Sequence, residues 1–150
     1  MRVVVQRVKK ASVEIEGHIK ATIEKGMLVL LGIEESDTSE DADWICSKIS
    51  RLRIFPDEKG IMNLDIKTVS GKIMVVSQFT LHASTKKGNR PSYIRAARPE
   101  TAIPLYDYFI IQLKKETNLE IETGVFGAMM QIALINDGPV TIIMDSKNKE

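Results

Sequence analysis

The sequence has one cysteine, Cys46, and only two histidines, His18 and His82. A single thiol excludes an intrachain disulfide, and these three residues form no zinc-type spacing, so neither a structural metal nor a cofactor is expected. Charge of one sign is missing too: 21 basic against 20 acidic residues leave a formal net charge of +1. That balance excludes the global basic field of a non-specific nucleic-acid binder, and any RNA contact must be local. No apolar run approaches the ~18 residues a membrane span needs. The opening MRVVVQRVKKASVEIEG carries charges throughout, without the apolar stretch and small-residue cleavage site of a signal peptide. A cytoplasmic protein without a membrane partner is expected. Repeats, low-complexity tracts and linkers are lacking as well. The 150 residues fit one domain, 1–150, and a domain of that size buries roughly 70% of the surface its unfolded chain exposes.

What is present begins as strands. VVVQRV, SVEIE, IKATI and the solid apolar MLVLLGI read as four of them, separated by turns at Ala11, Gly17-His18 and Lys25-Gly26. Beyond the polar EESDTSED, Asp37 and Glu40 stand in capping-box spacing ahead of Ala42, Ile45, Ile49 and Leu52 at helical periodicity, which predicts a helix covering a sheet face. RLRIF and a PDEKG turn then lead to KIMVVSQFTL, a buried strand whose end turns polar. The basic loop TKKGNRPS precedes a second helix bearing Leu105, Phe109 and Leu113, with Pro104 tolerable only in its first turn. This order of elements favours an α+β fold with a mainly antiparallel sheet and helices packed on one side.

Few side chains declare a chemistry. Cys46 falls within the first helix beside core positions, with no glycine-rich elbow or paired histidine, and reads as packing. His82 lacks an acidic orienter at recognisable spacing and reads as a solvated loop histidine. Glu34, Glu35 and Asp41 fall in a solvated stretch or a helix cap, and Asp145 and Glu150 in a charged tail. Lys86, Lys87 and Arg90, with Arg95 and Arg98, make a compact cationic patch that suits a few phosphate contacts or is simply an exposed loop. Ser77, Gln78 and Thr80 group hydroxyls and an amide around Phe79 at the polar end of an apolar strand, where they can donate to an oxyanion or merely end the strand.

INDGPVTI, residues 135–142, resembles a hairpin at first sight, with Asn136, Asp137 and Gly138 between MQIALI and VTIIM. Pro139 complicates that reading, because proline has no N–H for a strand ladder and is tolerated only at a strand start, an edge or a bulge.

Three segments taken together carry a resemblance: SQFTL at 77–81, KGNRPSYIRAARPETAIPLYDYF at 87–109 and NDGPVT at 136–141. With VVVQRVKKASVEIEG, MLVLLGI and RLRIFPDEKGIMNLDI they make the chain similar, nearly end to end, to the D-aminoacyl-tRNA deacylases. Ala21, where many members have glycine, and AMM at 128–130, where ADM is common, are the visible departures; Met129 borders the expected pocket.

The resemblance implies the barrel-like layered fold of that family and a homodimer that hydrolyses the ester between a D-amino acid and the terminal ribose of tRNA. It leaves open which D-amino acids are preferred and whether glycyl-tRNA is cleaved too. By the same resemblance Gly138-Pro139 is a cis peptide inserted into the partner subunit's site, its carbonyls facing the substrate's α-amino group. Ser77, Gln78 and Thr80 are then the catalytic positions. Phe79, Met130, Arg7, Asn136, Gly138 and Pro139 form the substrate-binding set, with Phe79 near the terminal adenine and Arg7 steadying the Gly-Pro loop. Lys86, Lys87 and Arg90 face the phosphates of the tRNA acceptor end. Water attack assisted by the ribose 2′-hydroxyl is the preferred chemistry, because Thr80 has no recognisable base; a covalent Thr80 ester is the variant reading. The alternative from another class is a non-catalytic nucleic-acid-binding dimer.

Overall fold

The computed structural model describes residues 1–149. Strand β1 (Arg2–Ile15) turns at Glu16 and Gly17, whose φ values of 50° and 78° are those of a two-residue hairpin turn, into β2 (His18–Ile23). β2 pairs with the second half of β1, and the following β3 (Gly26–Gly32) pairs with its first half. β2 and β3 are thus successive pieces of one long hairpin arm, and Lys25-Gly26 marks a kink rather than a reversal. No turn occurs at Ala11. It is buried inside β1, paired with Ile23 on one edge and Leu134 on the other, so the ladder holds it extended.

The outer edge of β1 is covered along its whole length by β8 (Gln131–Asp145), antiparallel. β6 (Lys72–Ser77) lies parallel to β3, and β7 (Ile121–Thr123) parallel to β6. The sheet is therefore mixed: antiparallel around β1, parallel from β3 outward, with the order β2-β1-β3-β6-β7. Parallel neighbours require crossovers. They are supplied by α1 (Ser39–Arg51) with the small hairpin β4 (Phe55–Pro56) and β5 (Met62–Leu64), and by α2 (Pro99–Thr117).

Both faces of the central strands are buried, which is why MLVLLG lacks alternation. Val3, Val5, Val29 and Val75 pack beneath Ile45, Ile49, Phe109 and Leu113 of the helices. Val8, Val13, Leu28 and Met74 face the other way, into a second core that Met130, Ile132 and Leu134 help to close.

The helix ends depart from the sequence expectation in detail. The N-cap of α1 is Thr38, whose amide donates to Asp41 Oδ2 at 2.8 Å, so the capping box sits one residue later than Asp37 and Glu40 suggested. Asp37 instead turns inward and accepts from the Glu34 amide at 2.8 Å and from the Met1 ammonium, which also donates to Ser146 Oγ at 2.9 Å. This buried knot ties the start of β1, the entry to α1 and the residue after β8. Pro104 lies inside α2, beyond its first turn, on the exposed face. The amide it lacks would have bonded the carbonyl of Glu100, an exposed residue that water can satisfy. The buried stripe is Ala102, Tyr106, Phe109, Leu113 and Thr117, with Leu105 only half-buried. Cys46 is fully buried where α1 meets α2, its Sγ 3.5 Å from the Phe109 carbonyl, and burial pushes its thiol pKa up. Among the described residues no helix is long and apolar enough to cross a membrane.

Gly26 is required by close approach at the β3–β6 seam, since a Cβ there would lie 1.8 Å from the Lys72 carbonyl oxygen. Gly26→Ala should cost at least about 2 kcal/mol, the usual range for overpacking against main chain. A urea titration checks this: the midpoint should fall at constant slope.

Candidate active site

The expected buried strand stops at Ser77, and the chain then coils into a 3-10 turn, Phe79–His82. SQFTL is thus a strand end followed by a tight turn. Its position is fixed from three sides. The Gln78 amide donates to the Leu31 carbonyl at 2.7 Å, continuing the β3 pairing for one step. Leu81 and His82 pack on Gly32. Arg2 Nη1 donates to the Leu81 carbonyl at 2.7 Å while its Nε and Nη2 hold Asp145 Oδ2 at 3.0 and 2.8 Å. Burial alone would raise the Asp145 carboxyl, but the Arg2 fork holds it below the ordinary carboxylate value.

This turn forms one wall of a mostly apolar cleft of about 300 Å³. Ser77, Gln78, Phe79, Phe126, Met129 and Met130 line it. Phe79 is 54% and Met129 91% exposed, so both stand at the rim. Thr80 borders a neighbouring groove with Arg2, Trp44 and Ile143 instead. It remains tied to the cleft through Gln78, whose Nε2 donates to Thr80 Oγ1 at 2.6 Å.

NDGPVT is not a hairpin. Its flanks do not pair with each other; both continue along β1, with Asn136 opposite Val8 and Thr141 opposite Gln6. Asp137, Gly138, Pro139 and Val140 therefore all stand opposite the single residue Arg7 and must arch out of the sheet. Asn136 closes the neck of the arch: its Oδ1 accepts from the Val140 amide at 2.8 Å and its Nδ2 donates to the Val140 carbonyl at 3.3 Å. Arg7, 9% exposed, fills the space beneath, donating from Nε to the Asp137 carbonyl at 2.7 Å and from Nη1 to the Ile54 carbonyl at 2.5 Å. The Gly138–Pro139 peptide is cis, and both residues are exposed at the crest. None of Arg7, Asn136, Gly138 and Pro139 lines the cleft of the same chain.

Lys86, Lys87 and Arg90 are exposed on a loop whose neck is closed by two main-chain bonds between Ser84 and Ser92, at 2.8 and 2.9 Å. Arg95 does not join their patch, because it donates to Glu34 Oε2 at 2.8 Å. Glu34 is 9% exposed rather than solvated. Burial would raise its carboxyl, but the Arg95 bond and charge hold it low. His82 is likewise not a solvated loop histidine: it is 2% exposed at the end of the 3-10 turn, neither ring nitrogen has a hydrogen-bond partner among the described residues, and Nδ1 is 3.7 Å from Glu34 Oε2. Asp145 is strand residue and ion-pair partner rather than tail, and Glu150 falls outside the described residues. Sequence reasoning missed Arg2 altogether. Nothing local marks it, since its partner Asp145 is 143 residues away.

His82 gives the fold a specific pH response. Burial lowers its pKa, against the opposing pull of Gly32 and Glu34 and with help from the Met1 ammonium and Arg2. A histidine buried neutral contributes stability that is fully present above its unfolded pKa, near 6.5, and is lost as pH falls below it. Glu34 and Asp145, with depressed pKa values, contribute stability present above the unfolded carboxylate range, near 4, and lost only at lower pH. His82→Leu should therefore flatten the stability profile between about pH 5 and 6.5 while leaving the more acidic fall in place. Urea midpoints across that range test this, and an unchanged slope above pH 5 would show that His82 is not its source.

Comparison with known proteins agrees with this architecture. A family model described as D-Tyr-tRNA(Tyr) deacylase matches residues 4–145. Proteins named D-aminoacyl-tRNA deacylase from Bacteroides thetaiotaomicron and Flavobacterium johnsoniae are 63% and 61% identical, each over 150 residues and the full length of both chains. A solved structure named c-Myc DNA Unwinding Element Binding Protein superposes with a TM-score of 0.91 at 41% identity, covering 97% of this chain and 98% of that one. Another, from a structural analysis of a probable eukaryotic D-amino acid tRNA deacylase, shares the fold with a TM-score of 0.81 at 14% identity, covering 95% and 97%. With its α+β mixed sheet and end-to-end match, the chain belongs to the D-Tyr-tRNA(Tyr) deacylase family.

Proposed function

We propose that the chain hydrolyses the ester of D-aminoacyl-tRNA as a homodimer, the Gly138-Pro139 arch of each copy completing the cleft of the other. The observation that carries this reading is the division of the candidate residues. Ser77, Gln78, Phe79 and Met130 line a cleft, whereas Gly138 and Pro139 are presented on an exposed arch that does not reach it. Ile143, 68% exposed on β8, and Thr80 border an adjoining groove that gives a second copy an apolar surface to cover.

In this arrangement the amino acid enters the cleft and the carbonyls of the arch meet its α-amino group. Backbone placed there leaves no room for an L side chain, so selection works by exclusion. Exclusion of a side chain does not exclude glycine, which has none, and glycyl-tRNA is then a second substrate. A 3-10 turn leaves its first amides without an internal acceptor. Those of Phe79 and Thr80 are the donors we assign to the developing oxyanion, with Ser77 and Gln78 beside them. Thr80 is not set up as a nucleophile: its hydroxyl oxygen accepts from the Gln78 side-chain amide at 2.6 Å, and among the described residues no carboxylate or imidazole is bonded to it. An aminoacyl ester is already activated, and a water helped by the neighbouring ribose hydroxyl suffices. Lys86, Lys87 and Arg90 meet the acceptor-end phosphates.

A second reading, a non-catalytic nucleic-acid-binding dimer, is favoured by the DNA-binding name of the 41%-identical structural neighbour. Incubating the purified chain with matched D- and L-aminoacyl-tRNA separates the two. Selective loss of the D-ester supports hydrolysis, and salt-sensitive binding with both esters intact supports the module.

Gly138 has a φ of +153°, and a Cβ there would come within 2.7 Å of the Val140 amide nitrogen and 3.3 Å of Arg7 Nη2. Gly138→Ala should displace the arch and lower D-ester hydrolysis about a hundredfold, as misplacement by an ångström commonly does. Mixing Gly138→Ala with Gln78→Ala subunits should then restore about a quarter of wild-type activity, since random exchange makes about half the dimers mixed, each with one intact site. Verified heterodimers without recovery would rule out a shared site.

A further inference from the structure

The chain has eight aromatic side chains, four Phe, three Tyr and one Trp. Phe79 and Tyr93, 54% and 40% exposed, touch edge to face, with ring centroids 5.0 Å apart and planes at 73°. Tyr108, also exposed, is engaged through its hydroxyl with Asp43 at 2.8 Å. The Phe79–Tyr93 pair adds little to the core, because much of both rings remains in water.

Tyr93 is nevertheless well anchored. The Ser84–Ser92 bonds precede it, and its own carbonyl accepts from the Ala96 amide at 3.0 Å. Two residues on, Arg95 is fixed by Glu34, and Ala97 donates to the Ile33 carbonyl at 2.9 Å. The ring directly follows the neck of the loop that carries the exposed Lys86, Lys87 and Arg90. A platform of exposed aromatics beside cations is the general solution for holding single-stranded nucleic acid, the bases stacking while the backbone follows the charge.

The positions also give an order. Ser77, Gln78 and Phe79 line the cleft; Tyr93 does not, and it joins Phe79, which it touches, to the neck of the basic loop at Ser92. We propose that Tyr93 is the stacking platform for the nucleobase next to the 3′-terminal one, so that the Phe79–Tyr93 edge holds two bases of the unpaired tRNA end. This rests on the proposed tRNA substrate, with the terminal nucleoside at Phe79. Tyr93 is a binding residue of the outer site and touches no reacting atom.

The test compares Tyr93→Ala and Tyr93→Phe on D-aminoacyl-tRNA and on D-aminoacyl-adenosine, which has no second base. Tyr93→Ala should raise KM for the tRNA about tenfold with kcat nearly constant, in keeping with one lost base stack. Tyr93→Phe should restore it, and on D-aminoacyl-adenosine the variants should converge with wild type. Equal losses on both substrates would make Tyr93 a support for Phe79 and overturn the proposal, as would no loss on tRNA. A binding arm uses uncharged tRNA and the same tRNA trimmed of its last two nucleotides. Tyr93→Ala should weaken the first only, and equal effects or none would overturn the proposal. An inert wild type would defeat the hydrolase reading, yet the binding arm would still decide the role of Tyr93.

Discussion

Between the pairs Gln6–Thr141 and Val8–Asn136, β1 supplies one residue and β8 supplies Asp137 to Val140. That mismatch shapes the candidate site. A strand cannot absorb so many extra residues in the plane of the ladder, so they leave it as an arch, and the polar groups they carry need partners. Arg7 meets this need because its planar fork reaches the Asp137 carbonyl and the Ile54 carbonyl together. Asn136 imitates a ladder pair across the neck. Pro139 suits the crest, where no strand partner calls for the N–H it lacks.

The same strand governs the other half of the site. Because β1 is paired on both edges, its first residues are rigid enough for Arg2 to act as a strut between Asp145 at the end of β8 and the Leu81 carbonyl of the 3-10 turn. The turn and the arch thus hang from one strand at Arg2 and Arg7. Gly138 and Pro139 are exposed and do not line their own cleft, and this supports a reading in which the site is shared between two copies.

Charge in the loop region follows a similar economy. Glu34 lies buried between His82 and Arg95, and the Arg95 bond keeps its carboxylate ionised. Arg95 is consequently withdrawn from the cationic patch, leaving Lys86, Lys87 and Arg90 exposed on a loop pinned at its base. A chain with almost no net charge can in this way still present a local anion-binding surface.

Local pattern sufficed for several features. MLVLLGI, 27–33, and the apolar start of KIMVVSQFTL, 72–81, were legible as strands, which the structure bounds at 26–32 and 72–77, and the α1 stripe at Ala42, Ile45 and Ile49 was legible from periodicity. SQFTL and NDGPVT were legible as motifs through their resemblance to a family. The sequence could not show that β3, β6 and β7 run parallel, because apolar runs carry no direction. Nor could it show that NDGPVT is an arch: a turn-forming Asp-Gly between two apolar runs signals a hairpin unless a third strand claims both flanks, as β1 does. The burial of His82 and the reach of Arg2 were hidden for the same reason. The sequence by itself marked the two long helices and most of the strand runs, but its local pattern broke β1 at Ala11, ran a strand into the 3-10 turn and did not mark β7. Tertiary structure alone decided which polar groups meet, since those partners lie far apart along the chain and local periodicity is blind to them.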